Sequence, residues 1–498
     1  MKRSYTVIAV YALLALLVIP VYPHFVSPNE FARLLLDASI VELRTIEVTR
    51  LAPALGPRFE DLAVVDGRLY SNKAPGTTLF TLPGYALARL FTTSLRGLVT
   101  AMRVTGATLP LLLLALLFVR LARRREIDDA RTATVLWLLL FATPLFAYGL
   151  LIFSHALVAA ALWSAWYFLY EERRDLLAGA LLGIAVSAEY PMAVPALMLI
   201  APLLRDWRRA LRIIAGGAPF ALALAAYHTA AFGSPFANPY RFSKLAEYQQ
   251  LATGGLFGIH LPSPVGLFKL LLDPTYGLLV FSPVLVMGVM GLMGRMEPME
   301  PMGKAGRWML IVVPAAILLI YAGYPYWHGG WNVGPRYLVP VIPFLVAPLL
   351  FRNGTVAEMV LGGAGALAVV LTTLVFPFVP EAFAWPWMSL AAPLLGEGLV
   401  APNLVHWIAR PLALLVPFAI VVAASCLVFR RRVAYALVGV LLAIAIGARS
   451  ETPRQRIQRD YIGEVYFERH GMLRGDAPPG LLRRRDAELV LPPASWPF

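Results

Sequence analysis

Residues 98–126 read "LVTAMRVTGATLPLLLLALLFVRLARRRE". The apolar part, about 98–119, has the roughly 20 residues that a helix needs to cross a bilayer. Four arginines in "RLARRRE" close it, and such basic residues mark the cytoplasmic end of a span. Runs of this kind recur through the 498 residues. The chain is 59% hydrophobic and only 14% charged, with a mean hydropathy of +0.69. That is too little charge to clothe a water-exposed surface of this size. The runs are continuous rather than alternating, which argues against a β-barrel. The expected fold class is an all-α polytopic membrane protein.

Upstream, residues 77–96 are apolar but broken by Pro83 and Gly84, and they hold Arg89. They read as a helix lying on or dipping into the outer interface. The segment 23–76 is a long polar loop. Before it, "MKRSYTVIAVYALLALLVIPVY" supplies a first span at about 5–22, with Lys2 and Arg3 inside. Its basic start resembles a signal peptide, but the apolar stretch is long and no A-x-A site follows.

Downstream, spans are expected at about 132–152, 155–170, 176–188, 191–204, 210–228, 276–294, 308–324, 337–351, 355–377, 411–429 and 433–447. The loops "EERRD", "RDWRR", "FRNG" and "FRRR" are read as inside. The total is about thirteen spans. They form one transmembrane domain, 1–447, with exoplasmic loops at about 23–97, 229–274 and 378–408. The tail, 448–498, is expected outside, because "FRRR" is nearer and denser than the arginines beyond the last span. "EPMEPM" is a small duplication in a cytoplasmic loop.

The net charge of +14 sits mostly in short loops, where it fixes topology. No nucleic-acid partner is expected. Cys426 is the only cysteine, so no disulfide forms within one chain. The sequence has no G-x-x-x-x-G-K-[ST], G-x-S-x-G or H-E-x-x-H, the signatures of nucleotide hydrolysis, serine hydrolases and zincins.

The outer loops carry the candidate chemistry. Pro28 and Asn29 start a helix whose first turn holds Glu30. Glu30 reads either as a catalytic carboxylate or as a favourable first-turn charge. Asp37 can share its face, and Glu42 lies further on; with Arg33, Arg44 and Arg50 nearby, each also reads as an ion-pair partner. Asp66-Gly67 is a hairpin signal between "LAVV" and "RLY". The hairpin brings Lys73 to the membrane surface in "YSNKAPG", with Tyr70 as an amphipathic anchor. Lys73 reads as a snorkelling lysine or as a phosphate ligand.

A second cation lies in "YPYWHGGWNVGPRY", residues 324–337. Arg336 follows Gly334-Pro335, where a guanidinium can fork onto phosphate. Trp327, His328 and Trp331 are interfacial aromatics or faces for sugar rings and isoprenoid chains. His328 has no metal-ligating neighbour at ligand spacing. Weaker marks are Ser154 and His155, Glu189, and Tyr240, Arg241, Lys244, Glu247 and His260.

The layout resembles the GT-C superfamily of membrane glycosyltransferases. It is most similar to the family 39-like group of protein O-mannosyltransferases and lipid A aminoarabinose transferase. "NEFARLLLDASIVE" is similar to that group's acidic loop pattern, with Glu30 and Glu42 on its acidic positions. Lys73-Ala74-Pro75-Gly76 looks like its K-P-P element, and "GGWNVGPRYLVPVIPFL" like a loop-to-helix motif of bacterial members. Asn29 stands where many relatives have aspartate, and Ala74 where they have proline.

The resemblance implies a polyprenyl-phosphate sugar donor and an acceptor hydroxyl on a glycan, lipid or protein. It implies an inverting single displacement on the periplasmic or extracellular side of the plasma (inner) membrane. Glu30 would be the base, Lys73 and Arg336 the phosphate ligands. Asp37, Glu42, Asp66 and His328 are spare groups, His155 a further substrate contact, and a divalent metal is an option. The rival readings are a lipid-linked sugar transporter or flippase, a diphosphate-carrier ligase, and a non-catalytic scaffold.

Overall fold

A computed structural model describes residues 2–22, 26–55, 61–293, 303–408 and 412–467. The "EPMEPM" duplication and the tail beyond residue 467 lie outside them. The chain is mostly helical. Four helices are long and apolar enough to cross a membrane: Leu95–Arg124, Trp207–Phe232, Gly303–Ala322 and Val356–Val375. Shorter apolar helices include Asp175–Ala188, Tyr190–Leu203, Arg336–Phe351 and Trp387–Gly396.

Two expected spans are interrupted. Residues 132–152 divide into Asp129–Phe141 and Leu145–Tyr148, and residues 276–294 into Leu278–Phe281 and Leu285–Met293. Pro144 and Pro283 stand at the breaks, where proline lacks the N–H that would continue the ladder.

The loops read as inside meet one another. Asp129 accepts from the Arg3 backbone N–H at 3.0 Å. Arg125 pairs with Glu171 at 2.7 Å, Arg120 with Glu172 at 2.6 Å, and Arg209 with Asp175 at 2.7 Å. Arg131 pairs with Glu358 at 2.6 Å and donates to the Leu349 carbonyl at 2.8 Å. One end of the molecule therefore gathers these basic loops. Helices pack closely through glycine: a Cβ on Gly179 or Gly216 would strike the backbone of the facing helix, as would one on Gly363 or Gly439. Small residues at crossings are the usual means of packing apolar helices in lipid. Helix 207–232 leaves Trp207, Leu211, Ile214 and Leu222 exposed.

The long loops meet at the other end. Helix Pro28–Leu43 is capped by Ser27, whose hydroxyl accepts from the Glu30 N–H. Its apolar face (Phe31, Leu34, Leu35, Ala38) packs with Val48, Leu51, Tyr85, Leu98 and Met102. The hairpin forms as expected: β1 (Leu62–Val65) pairs antiparallel with β2 (Arg68–Ser71). Asp66 and Gly67 have φ of 50° and 76°, the left-handed pair of a type I′ turn. Helix Thr78–Arg89 contains Pro83, and Leu79, Leu87, Leu90 and Phe91 are exposed on and just after it.

Part of the tail is ordered at this same end. Helix Pro453–Tyr466 starts in a capping box between Thr452 and Gln455. Gln455 donates to the Ala382 carbonyl at 2.9 Å, Arg459 faces Glu397 at 3.4 Å, and Tyr466 packs on Tyr22 and Phe376.

Candidate functional site

A cavity of about 1090 Å³ lies among the long loops, lined by residues from the first loop, the hairpin, loop 235–259, helices 154–170, 190–203 and 207–232, loop 324–337 and the tail helix. Three buried cations face it, Arg33, Lys73 and Arg336, with the exposed Arg454 of the tail helix also in its lining. Asp61 and Glu189 are the carboxylates set among them.

Lys73 is held by the strand ladder. Its ammonium pairs with Asp61 at 2.8 Å, lies 3.5 Å from the Tyr240 hydroxyl and 5.0 Å from that ring's centre. The register of the hairpin sets this pair: Leu62 faces Ser71, so Asp61 falls opposite Asn72, next to Lys73. Burial, then Glu189 and Asp61, hold the Tyr240 phenol well above its ordinary pKa, so it stays neutral while its oxygen accepts from the Lys73 ammonium.

Arg33, on the loop helix, is fixed by Asn29 at 3.3 Å, the Ala74 carbonyl at 3.3 Å, Thr77 at 2.7 Å and Ser154 at 3.4 Å. Ser154 in turn donates to Glu189. His155 Nδ1 lies 4.0 Å from the same carboxylate. Glu189 sits in an extended break between helices 175–188 and 190–203, where Pro191 prevents one continuous helix.

Arg336 differs from the other two cations. Among the described residues its only side-chain hydrogen-bond partner is the Tyr337 hydroxyl at 2.9 Å, its Nε is buried without a hydrogen bond, and no carboxylate pairs with it. Its guanidinium carbon lies 4.8 Å from the Tyr337 ring centre and 5.5 Å from that of Phe153. Gly329 has φ of 73°, and a Cβ there would run into the Arg336 side chain. The aromatic cradle offsets part of the charge through ring faces. A buried cation without a carboxylate is costly unless an anion arrives.

Of the other expected residues, Trp331 lines the cavity. His328 and Trp327 stand behind the wall: His328 is 3.3 Å from Glu381 and stacks on Tyr276, while Lys269 lies over Trp327 at 5.5 Å. Tyr70 points away, onto Phe232, and Asp66 is exposed at the hairpin tip. Glu42 is taken by Arg89 at 2.6 Å and Tyr85 at 3.2 Å.

Glu30 is not in the cavity wall. Its two oxygens receive Arg103 Nε at 3.0 Å and Nη2 at 2.7 Å, and the Ile152 N–H donates at 2.7 Å. Arg103 also donates to the Pro20 carbonyl. A carboxylate so fully occupied ties the loop helix to helix 95–124; it is poorly disposed to accept a proton from a substrate. Among the described residues, no three His, Cys, Asp or Glu side chains cluster so as to fit a metal ion, and no step below runs through one.

Asp37 is fully buried beside Thr78 and Thr81 of helix 78–89, whose hydroxyls lie near its carboxylate without reaching full hydrogen-bond geometry. Burial pushes its pKa up from 3.8 to about 7, against the Thr81 and Thr78 hydroxyls and Arg33. Between about pH 4 and 7 the folded chain holds a proton that the unfolded chain has released, so stability falls as pH rises through this window. Three pH units correspond to on the order of 4 kcal/mol. Asp37→Asn is expected to flatten the pH dependence of thermal melting in micelles and to raise the melting temperature at pH 8. A wild-type melting temperature that is level from pH 4 to 7 contradicts this.

Comparison of the chain with known families, curated proteins and solved structures returns no match.

Proposed function

We propose that the chain is an integral-membrane glycosyltransferase of about thirteen spans, with a GT-C-type bundle and its active site on the exoplasmic side of the plasma (inner) membrane. The donor is a sugar on polyprenyl phosphate, and the acceptor is a hydroxyl of a glycan, lipid or protein. The observation that carries this reading is Arg336, a buried guanidinium without a carboxylate, facing a cavity of lipid-headgroup size. Lys73 and Arg33 add positive charge around the same space.

The acceptor hydroxyl gives its proton to Glu189, which Ser154 holds in place. The acceptor oxygen bonds to the anomeric carbon as the bond from that carbon to the phosphate oxygen breaks. The lipid phosphate leaves with its electron pair, neutralised by Arg336 and Lys73. One displacement inverts the anomeric centre. Glu189 takes the role that the resemblance assigned to Glu30, because Glu189 borders the cavity and Glu30 does not.

The test is binding of undecaprenyl phosphate to the protein in nanodiscs, followed by transfer from radiolabelled polyprenyl-phosphate sugars. Wild type is expected to bind, and Arg336→Ala to bind at least about tenfold more weakly, the ~1.4 kcal/mol that one lost charge-assisted hydrogen bond exceeds. Failure of the wild type to bind overturns the reading. Movement of labelled donor across liposomes without any bond change favours the transporter instead.

A further inference from the structure

The second outer loop carries apolar side chains where a water-facing loop would carry polar ones. Phe236 is 88% exposed, Leu256 73%, Phe257 60% and Leu261 90%. Helix Pro264–Leu272 continues the pattern: Val265, Phe268 and Leu272 are exposed at the spacing of one helical face. Its opposite side packs on helix 303–322 at Gly266, where a Cβ would strike the Ala322 carbonyl.

The tip of the loop is built to present an aromatic. Leu256 and Ile259 form a bridge, with the Leu256 N–H donating to Ile259 at 2.8 Å. Phe257 and Gly258 between them have φ of 55° and 89°. Left-handed backbone is ordinary for glycine but uncommon for a bulky residue. An exposed phenylalanine in that conformation costs backbone energy and, in water, gains nothing by burial.

Phe236, Leu256 and Phe257 also line the cavity, together with Val194 and Leu224. Leu224 lies eight residues before the end of helix 207–232, about 12 Å below it at 1.5 Å per residue. The cavity lining thus reaches helix 207–232 below its outer end, at Leu224 and His228, while Leu222, about 200° round the axis from Leu224, is exposed on the opposite side of the helix. Arg241, exposed in the same loop, suits phosphate headgroups.

We propose that this loop inserts into the outer leaflet, with Leu256–Phe257 as its tip, and frames a side door through which a lipid-borne substrate passes from the bilayer into the cavity. The inference rests on the membrane-spanning reading above. Its test uses the full chain with Cys426→Ser and a single nitroxide at Phe257→Cys, Phe236→Cys, Leu222→Cys or Asp66→Cys, in liposomes of phosphatidylethanolamine and phosphatidylglycerol. Power-saturation EPR compares access by oxygen with access by a water-soluble nickel chelate. Labels at 257, 236 and 222 are expected to favour oxygen, and the label at the hairpin tip, 66, to favour nickel. Positions 257 and 236 behaving like 66 while 222 stays in lipid overturn this inference alone. Position 222 behaving like 66 overturns the membrane reading. All four positions are exposed, so labelling removes no core packing.

Discussion

Glu189→Gln is expected to lower sugar transfer by about 10²–10⁴-fold, the range that a positioned general base contributes, while undecaprenyl phosphate still binds within a few-fold of wild type. The split follows from the geometry. Glu189 stands at the cavity beside Ser154 and His155, whereas the phosphate ligands are Arg336 and Lys73 on other elements. Glutamine keeps an oxygen for the Ser154 hydroxyl, so Arg33 and the loop helix keep their anchor. What it loses is the capacity to take a proton at neutral pH. Asp61, the other central carboxylate, is a weaker candidate because Lys73 holds it at 2.8 Å. Single-turnover transfer in nanodiscs, read beside donor-phosphate binding, decides between them. Unchanged transfer by Glu189→Gln shifts the base to Asp61; an equal loss of binding makes Glu189 a positioning residue.

Several features of the fold were readable in the sequence for identifiable reasons. Short loops rich in arginine gather at one end because several of their arginines find carboxylates on a neighbouring loop, as Arg125 does with Glu171 and Arg209 with Asp175. The hairpin was readable because Asp66-Gly67 demands left-handed backbone at both positions. That turn also fixes the register, so the Asp61–Lys73 pair is implicit in it. Helix interruptions were less visible, since Pro144 and Pro283 lie within runs whose hydropathy is unbroken. The cavity itself had no local signature. Lys73, Glu189 and Arg336 come from a hairpin, a helix break and a glycine-rich loop, and only tertiary packing brings them together. Tyr70 is near Lys73 in sequence yet faces Phe232, because alternate strand positions point to opposite sides.

Arg103→Ala is expected to destabilise the protein by about 3–5 kcal/mol, the usual consequence of removing one partner from a buried pair. The cost arises because Glu30 remains a carboxylate in an apolar setting, with only the Ile152 N–H to receive it. An arginine inside the apolar run "AMRVTG" was the available clue: a charge at that depth has to find a counter-ion. Glu30→Gln should also destabilise, by the same logic. The informative variant is the double one, Glu30→Gln with Arg103→Met. It removes both charges while the amide oxygen continues to accept from Ile152, so much of the lost stability should return. Thermal melting in micelles measures that recovery, and transfer per folded molecule measures function. If Glu30 only ties the loop helix to helix 95–124, the double variant transfers sugar within a few-fold of wild type. If Glu30 itself takes the acceptor proton, the double variant is stable and inactive. Stability therefore returns under both accounts of this carboxylate, and activity per folded molecule alone separates them.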